Sequence, residues 1–93
     1  MAAARKRDRL GVIFDILSAV RSSGNSIRHT PLMRRSNVSP VRFAEYYAEL
    51  VSKGFLKEMA DRKGRRLVTL TDKGFDYLAK YQTILAFISE FEL

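Results

Sequence analysis

The chain has 93 residues, with 17 Lys and Arg against 10 Asp and Glu, so its formal net charge is +7. This length accommodates one domain with a single core, and the basic balance predicts a polyanionic partner. The absence of cysteine excludes disulfides, thiolate metal sites and cysteine nucleophiles.

The first periodic stretch predicts an amphipathic helix from about Asp8 to Ser22. Apolar residues recur in it at spacings of three and four, the period of a helix with one buried face. These residues are Leu10, Ile13, Phe14, Leu17 and Val20. Gly24 follows, and a glycine at this point can adopt the positive φ of a helix C-cap.

Residues 25–54 have the pattern of a helix-turn-helix. A short polar helix is expected over roughly Arg28 to Arg35, with Pro31 in its first turn, where the missing N–H does no harm. Ser39 is then a candidate N-cap and Pro40 the first residue of the next helix. The apolar stripe of that helix consists of Phe43, Tyr46, Tyr47, Leu50 and Val51. At least one of the two tyrosines is expected in the core.

After Gly54 the hydrophobic period changes from about 3.6 to 2. Residues 55–59 and 66–70 predict two short strands, and residues 61–64 predict the turn of a hairpin between them. Thr71 or Asp72 then caps a final helix that runs almost to the last residue.

The final helix carries more apolar side chains than one small domain can cover. They recur at spacings of four and three, as in a coiled coil. The residues expected to form the contact are Tyr77, Tyr81, Ile84, Leu85, Ile88 and Phe91. We expect a homodimer in which two such helices pair. The alternative is a helix that folds back on the first helix of the same chain.

The order of elements predicts a mainly α protein with a small β-hairpin (α+β), a winged helix-turn-helix with a long C-terminal helix. The chain divides into a basic N-terminal arm over residues 1–8, the winged helix-turn-helix over residues 9–71 and the dimerisation helix over residues 72–93. All three are expected to form one structural domain.

The basic side chains are concentrated where this fold would meet DNA. Residues 1–36 carry eight basic and two acidic side chains, and residues 54–71 carry five and two. In a winged helix, the second helix of the pair lies in the major groove and the hairpin, or wing, reaches the phosphates beside it. Phosphate contact is expected of the wing residues, which are Arg62, Lys63, Arg65 and Arg66. The alternative is a charged hairpin tip that is merely solvated.

The recognition helix, about residues 39–53, offers few groups that read bases. Arg42 can grip a guanine edge in bidentate fashion, and Ser39 can reach a phosphate or a base. The competing possibility for Arg42 is a surface ion pair with Glu45 or Glu49. Modest sequence specificity is expected from so few base-reading groups.

Other basic residues flank these elements. Arg28, Arg34 and Arg35 on the short helix are candidate DNA contacts. The basic N-terminal residues Arg5, Lys6, Arg7 and Arg9 can lie along the backbone or in a minor groove. Ordinary solvated charge is the alternative for both groups.

The sequence shows no constellation of catalytic or metal-binding residues. His29 is the sole histidine and has no cysteine or carboxylate pair near it, so neither a metal site nor a Ser-His-Asp relay can be assembled around it. We expect His29 at the surface or in a cap. The protein is not expected to be an enzyme or to use a cofactor or metal.

Three stretches of the sequence resemble a known family. They are R-x-x-x-I-F-D-I-L-S-A at Arg9–Ala19, F-A-E-Y-Y-A-E-L-V-S-K-G-F-L at Phe43–Leu56 and L-T-D-K-G-F-D-Y-L at Leu70–Leu78. They resemble the small archaeal winged-helix DNA-binding proteins of the ten-kilodalton chromatin class and the related archaeal predicted transcriptional regulators.

The resemblance implies a dimer joined by an antiparallel coiled coil of the C-terminal helices, with two winged helices presented to duplex DNA. It also implies DNA contacts at Ser39 and Arg42 and at the wing residues Arg62, Lys63 and Arg65. The final helix is short, which limits the length of any coiled coil.

The main hypothesis is a duplex DNA-binding protein, either a transcription regulator or a chromatin-type architectural protein. The alternative is a winged-helix module that docks a different protein through its apolar C-terminal helix. Binding of RNA or single strands ranks lower, because no basic groove interleaved with exposed aromatics is evident. With no signal-peptide pattern and no apolar run approaching the roughly 20 residues of a membrane span, we expect a cytoplasmic, nucleoid-associated location and no membrane partner.

Overall fold

The computed structural model describes residues 8–93, which form four helices and one three-stranded antiparallel sheet. In chain order the elements are α1 (Arg9–Ser22), β1 (Ile27–Arg28), α2 (His29–Ser36), α3 (Pro40–Ser52), β2 (Leu56–Ala60), β3 (Arg66–Leu70) and α4 (Asp72–Glu90). The expected winged helix-turn-helix with a long C-terminal helix is therefore confirmed. Most of the predicted N-terminal arm, residues 1–7, lies outside the described residues.

Side-chain caps begin three of the helices, and the sequence predicts those of α3 and α4. Asp8 accepts a hydrogen bond from the Gly11 amide at 2.7 Å at the start of α1. Ser39 accepts from the Arg42 amide at 3.2 Å, which leaves Pro40 as the first residue of α3. Each cap satisfies an amide that has no carbonyl partner within its helix, so these boundaries are encoded locally.

The cap of α4 also ties that helix to the rest of the fold. Thr71 Oγ1 accepts from the Gly74 amide at 3.1 Å, and the same hydroxyl donates to the Gly54 carbonyl at 2.5 Å. Of the two residues predicted as the cap, Thr71 is the correct one. The link holds the start of α4 against the turn that follows α3.

The sheet contains one strand more than the predicted hairpin. The strands are ordered β1-β3-β2, and the two residues of β1 pair antiparallel with β3 through Ile27 opposite Val68. Asn25 supports this edge, because its side-chain oxygen accepts from the Leu70 amide at 2.8 Å. A strand of two residues is too short to show a period of two, so the sequence pattern predicted only the hairpin of β2 and β3.

The core lies where α1 packs against α2, β3 and α4. It is formed by Val12, Ile13, Ile16, Leu17, Ala19, Val20, Ile27, Leu32, Phe43, Tyr47, Leu50, Leu56, Val68, Leu70 and Leu78. The predicted stripe of α1 is wrong at Leu10, which is 48% exposed, whereas Val12 and Ile16 are fully buried. A helix covered from several sides buries more than one stripe, and the choice of sides depends on its neighbours.

The two halves of α4 have different surroundings. In the first half Leu78 is buried, the Tyr77 hydroxyl donates to the Leu10 carbonyl at 2.8 Å, and the ring of Tyr81 lies 4.7 Å from that of Phe14. Every residue from Gln82 onward is exposed. Among the residues described, no helix is both long and apolar enough to span a bilayer.

Candidate nucleic-acid interface

The outward face of α3 is mostly small and apolar. Val41 is 71% exposed, and Ala44, Glu45 and Ala48 are also exposed on this face. Phe43, Tyr47 and Leu50 point the opposite way into the core, so the predicted core role of one tyrosine is confirmed for Tyr47. The face that a recognition helix turns toward a groove therefore has few hydrogen-bonding groups.

Arg42 lies beside a tyrosine instead of pairing with a carboxylate. Its guanidinium carbon is 5.8 Å from the centre of the Tyr46 ring, and one guanidinium nitrogen donates to the Tyr46 hydroxyl at 3.5 Å. The alternative ion pair with Glu45 or Glu49 does not form within the described part of the chain. Because the contact with Tyr46 is long, the guanidinium nitrogens remain free to meet a base edge.

Glu49 is neutralised by two cations within the same chain. It accepts a charge-assisted hydrogen bond from Arg9 and another from Lys53 Nζ, the latter at 2.7 Å. The hydrogen bond from Arg9 is the main reason that the pKa of Glu49 falls from its ordinary value of 4.5 to about 2. Arg9, the last basic residue of the predicted arm region, is thus held on the protein surface beside α3.

The turn of the wing is built around Asp61. Its Oδ1 accepts from the amides of Lys63 at 2.9 Å and Arg65 at 2.8 Å, and its Oδ2 accepts from Arg65 Nε at 2.7 Å. These bonds lower the pKa of Asp61, the amide of Arg65 contributing most. Gly64 completes the turn with φ +78°. The sequence predicts Asp61 only as a turn residue, although aspartate at this position is also the signal for an Asx turn.

Two of the four wing cations contact carboxylates of the same chain, and two do not. The side chains of Arg62 and Lys63 at the tip are exposed and have no partner in residues 8–93. Arg65 is held through its Nε by Asp61, and Arg66 lies 3.7 Å from a carboxylate oxygen of Glu58. The two residues at the tip therefore project free charge.

Glu58 links the wing to α3. It accepts a hydrogen bond from the Tyr47 hydroxyl, and burial is the main cause that raises the pKa of this tyrosine. The His29 and Tyr47 rings pack edge to face with their centres 4.8 Å apart, and His29 lies half-buried at the start of α2. The predicted surface or cap position of His29 is therefore only partly correct. The described residues contain no cluster of three potential metal ligands.

The flanking arginines of α2 are exposed near its C-terminus. Arg35 donates to Ser23 Oγ at 2.5 Å, which directs its side chain toward the end of α1. Arg34 has no partner among the described residues. Of these two candidates, Arg34 has the freer guanidinium group.

The candidate dimer residues divide at Tyr81. Tyr77 and Tyr81 pack on α1, and burial raises the pKa of Tyr77 to about 12. The apolar side chains beyond them are between 38% and 57% exposed along the rest of the helix. They are Ile84, Leu85, Phe87, Ile88 and Phe91.

Comparison with known proteins identifies the class. The family model described as "Winged helix-turn-helix" matches residues 6–89. The chain therefore belongs to the winged helix-turn-helix family. Comparison with curated proteins found no match.

Solved structures of known proteins share this fold. Sso10a-2, a DNA-binding protein from Sulfolobus solfataricus, is 20% identical with a TM-score of 0.74, covering 92% of this chain and 86% of its own. SSV1 F-93 is 22% identical with a TM-score of 0.66, covering 92% and 99%. A mutant of MarR from E. coli, complexed with operator DNA, is 23% identical with a TM-score of 0.64, covering 73% and 49%. The resemblance to archaeal winged-helix proteins that the sequence stretches indicated agrees with these neighbours.

Proposed function

We propose that this protein binds duplex DNA and carries out no chemistry, with α3 in the major groove and the wing on the phosphate backbone. The observation that carries the proposal is the free positive charge of Arg62 and Lys63 at the tip of the wing. Support comes from the family and from the solved neighbours, one of which is complexed with operator DNA.

The wing residues serve phosphate contact in two ways. Arg62 and Lys63 reach the backbone freely, whereas Arg65 is oriented by Asp61 and keeps its two terminal nitrogens for a phosphate. Arg66 has a loose contact with Glu58 and an interaction with the Tyr47 hydroxyl to exchange for one. Arg34 and Arg35 are assigned to the flanking phosphates.

The recognition helix supplies a small amount of sequence reading. Ser39 and Arg42 are the polar groups near the start of α3, where recognition helices contact base edges. The remaining outward positions are Val41, Ala44, Glu45 and Ala48, of which only Glu45 can hydrogen-bond a base through its side chain. Most of the affinity then comes from phosphates, which fits an architectural protein or a regulator with few base contacts per half-site.

The test is DNA binding across a salt series for the wild type and the double variant Arg62→Ala/Lys63→Ala. Affinity falls with salt at a slope of about 0.9 per phosphate contact, so the double variant should flatten the slope by roughly 1.8. Neither side chain has a partner in the described chain, so the fold should be unaffected.

The control is Arg21→Ala. Arg21 lies in the last turn of α1, at the other end of that helix from Arg9. The substitution removes an exposed arginine without touching the wing or α3 and should leave the slope unchanged. Failure of the wild type to bind duplex DNA even at low salt would overturn the proposal and favour a module that docks another protein.

We also propose that two copies of the chain pair through the exposed half of α4. Ile84, Ile88 and Phe91 lie on one face of that half, with Leu85 and Phe87 beside them. Two copies of the same patch can cover each other around a two-fold axis. Tyr77 and Tyr81 extend the same face where it meets the body of each copy.

The charges on α4 favour an antiparallel pair. An antiparallel register in which Ile84 faces Ile88 of the second copy also brings Lys80 toward Glu92 of that copy. A parallel pair would instead place the acidic C-terminal residues side by side. Opposite charges then meet at both ends of the contact.

Sedimentation equilibrium tests the pairing. Ile88→Asp places a charge in the apolar contact and should convert a dimer into a monomer. Ala86→Asp introduces the same charge on the opposite face of the helix and should leave the dimer intact. A wild-type protein that remains monomeric across the accessible concentration range would refute the pairing.

A further inference from the structure

A second basic surface lies beside the wing, at the start of α2. It is an open groove of about 370 Å³, lined by Arg28, His29, Thr30, Pro31, Arg65 and Arg66. Three guanidinium groups and no carboxylate line it. Arg28 was expected only as a flanking contact of the short helix, and His29 and Thr30 were not among the residues expected to meet DNA.

The sheet brings these residues together. In the pairing of β1 with β3, Arg28 lies opposite Leu67, the neighbour of Arg66. This pairing joins the first residues of the helix-turn-helix to the base of the wing. The groove therefore exists only because the short strand β1 forms.

The positive charge of the groove is only partly compensated. Arg28 is exposed and has no partner among residues 8–93. Arg66 lies 3.7 Å from Glu58, beyond hydrogen-bonding distance, and also interacts with the Tyr47 hydroxyl. Arg65 engages Asp61 through Nε alone. Several guanidinium N–H groups consequently remain available to an acceptor from outside the chain.

The wall of the groove is rigid at His29. The imidazole packs edge-on against the rings of Phe43 and Tyr47, with ring centres 5.3 and 4.8 Å away. Both of those rings are buried in the core. A wall anchored in this way holds its shape when a ligand binds, so less ordering accompanies binding.

We propose that this groove binds a phosphate group, with Arg28 as its principal residue and Arg65 and Arg66 as partners. Guanidinium forks match the geometry of phosphate oxygens and bind them in bidentate fashion. The phosphate is a phosphodiester of the bound duplex, in which case the inference rests on the proposed DNA binding, or it belongs to a free phosphate compound.

The DNA source is tested with Arg28→Ala in the same salt series. Loss of one phosphate contact should flatten the salt slope by about 0.9, while Arg21→Ala, which removes the same charge elsewhere, should not change it. Arg28→Lys keeps the charge but not the fork and should restore most of the slope with weaker binding. Equal slopes for Arg28→Ala and the wild type exclude the DNA source.

The free source is tested by titrating inorganic pyrophosphate into isotope-labelled protein without DNA. Saturable shifts of the backbone amide signals of Arg28, Thr30 and Arg66, absent in Arg28→Ala, would support the groove as a phosphate site. If Arg28→Ala leaves the salt slope of DNA binding unchanged and pyrophosphate produces no such shifts, the proposal is overturned. If the wild type binds no duplex at all, the proposed function fails. The pyrophosphate titration then still tests whether the groove binds phosphate.

Discussion

The two halves of α4 carry similar apolar residues but have opposite surroundings. From Asp72 to Tyr81 the helix buries Leu78 and ties Tyr77 and Tyr81 to α1, whereas every residue from Gln82 onward is exposed. The period of the apolar residues continues unchanged across this boundary. A helical pattern thus shows that a face needs covering, while the length of the neighbouring helix decides which part is covered by the same chain.

The largest expected loss of stability comes from a substitution in the buried first half of α4. Leu78→Ala empties a fully enclosed site and should lower the free energy of unfolding by about 2–5 kcal/mol. Chemical denaturation at two protein concentrations measures it, and the loss should be the same at both.

Ile88→Ala is the comparison variant for Leu78→Ala in the exposed half. Its cost should appear only at the concentration at which the dimer forms, because stability from association depends on concentration. A concentration-independent loss for Ile88→Ala would mean that the exposed half packs within its own chain.

Gly74→Ala probes how closely the first half of α4 approaches the body. A Cβ at this position would lie 2.5 Å from the Phe55 carbonyl oxygen and 2.9 Å from a methyl carbon of Leu70. Since the clashing oxygen belongs to the backbone, we expect a loss of about 1–3 kcal/mol in thermal or chemical unfolding. An unchanged midpoint would show that α4 can move away from β3 without cost.

Tyr77→Phe removes one hydrogen bond between α4 and α1 but keeps the ring. The hydroxyl donates to the Leu10 carbonyl at 2.8 Å, so the variant should lose about 0.5–1.5 kcal/mol of unfolding free energy. Amide hydrogen exchange should quicken in the first turns of α1 and in the first half of α4. Faster exchange in the exposed half alone would contradict the assigned contact.

The smallest effect concerns the ion pairs of Glu49 in the body. Its pKa is depressed from 4.5 to about 2, so the stability it contributes is present above pH 4.5 and is lost as the pH falls toward 2. When the free energy of unfolding is measured between those pH values, Glu49→Gln should not show this loss of stability as the pH falls. Glu45→Gln, on the same helix but without a described partner, should retain it.

Particular residues show which parts of the site could be predicted. The wing cations and Arg42 follow from sequence because a turn or a helix start exposes whatever side chains it carries. The contacts that these basic side chains make within the chain cannot be predicted from the sequence. Arg9 and Glu49 are 40 residues apart, and Arg42 lies on Tyr46 instead of a carboxylate. The groove at Arg28 forms only when β1 pairs with β3, and no local sequence pattern predicts this pairing.

The sequence by itself determined the order of the helices and the hairpin, the caps at Ser39 and at Thr71 or Asp72, and the concentration of basic charge near the wing. These features depend on residues within a few positions of each other, so local hydrogen bonds and periodicity are enough to encode them. Only the tertiary structure decided that Leu10 is exposed, that Arg28 joins the wing and that α4 leaves the body after Tyr81. Each of these depends on which distant surfaces meet, and burial and charge compensation arise only once those surfaces are in contact.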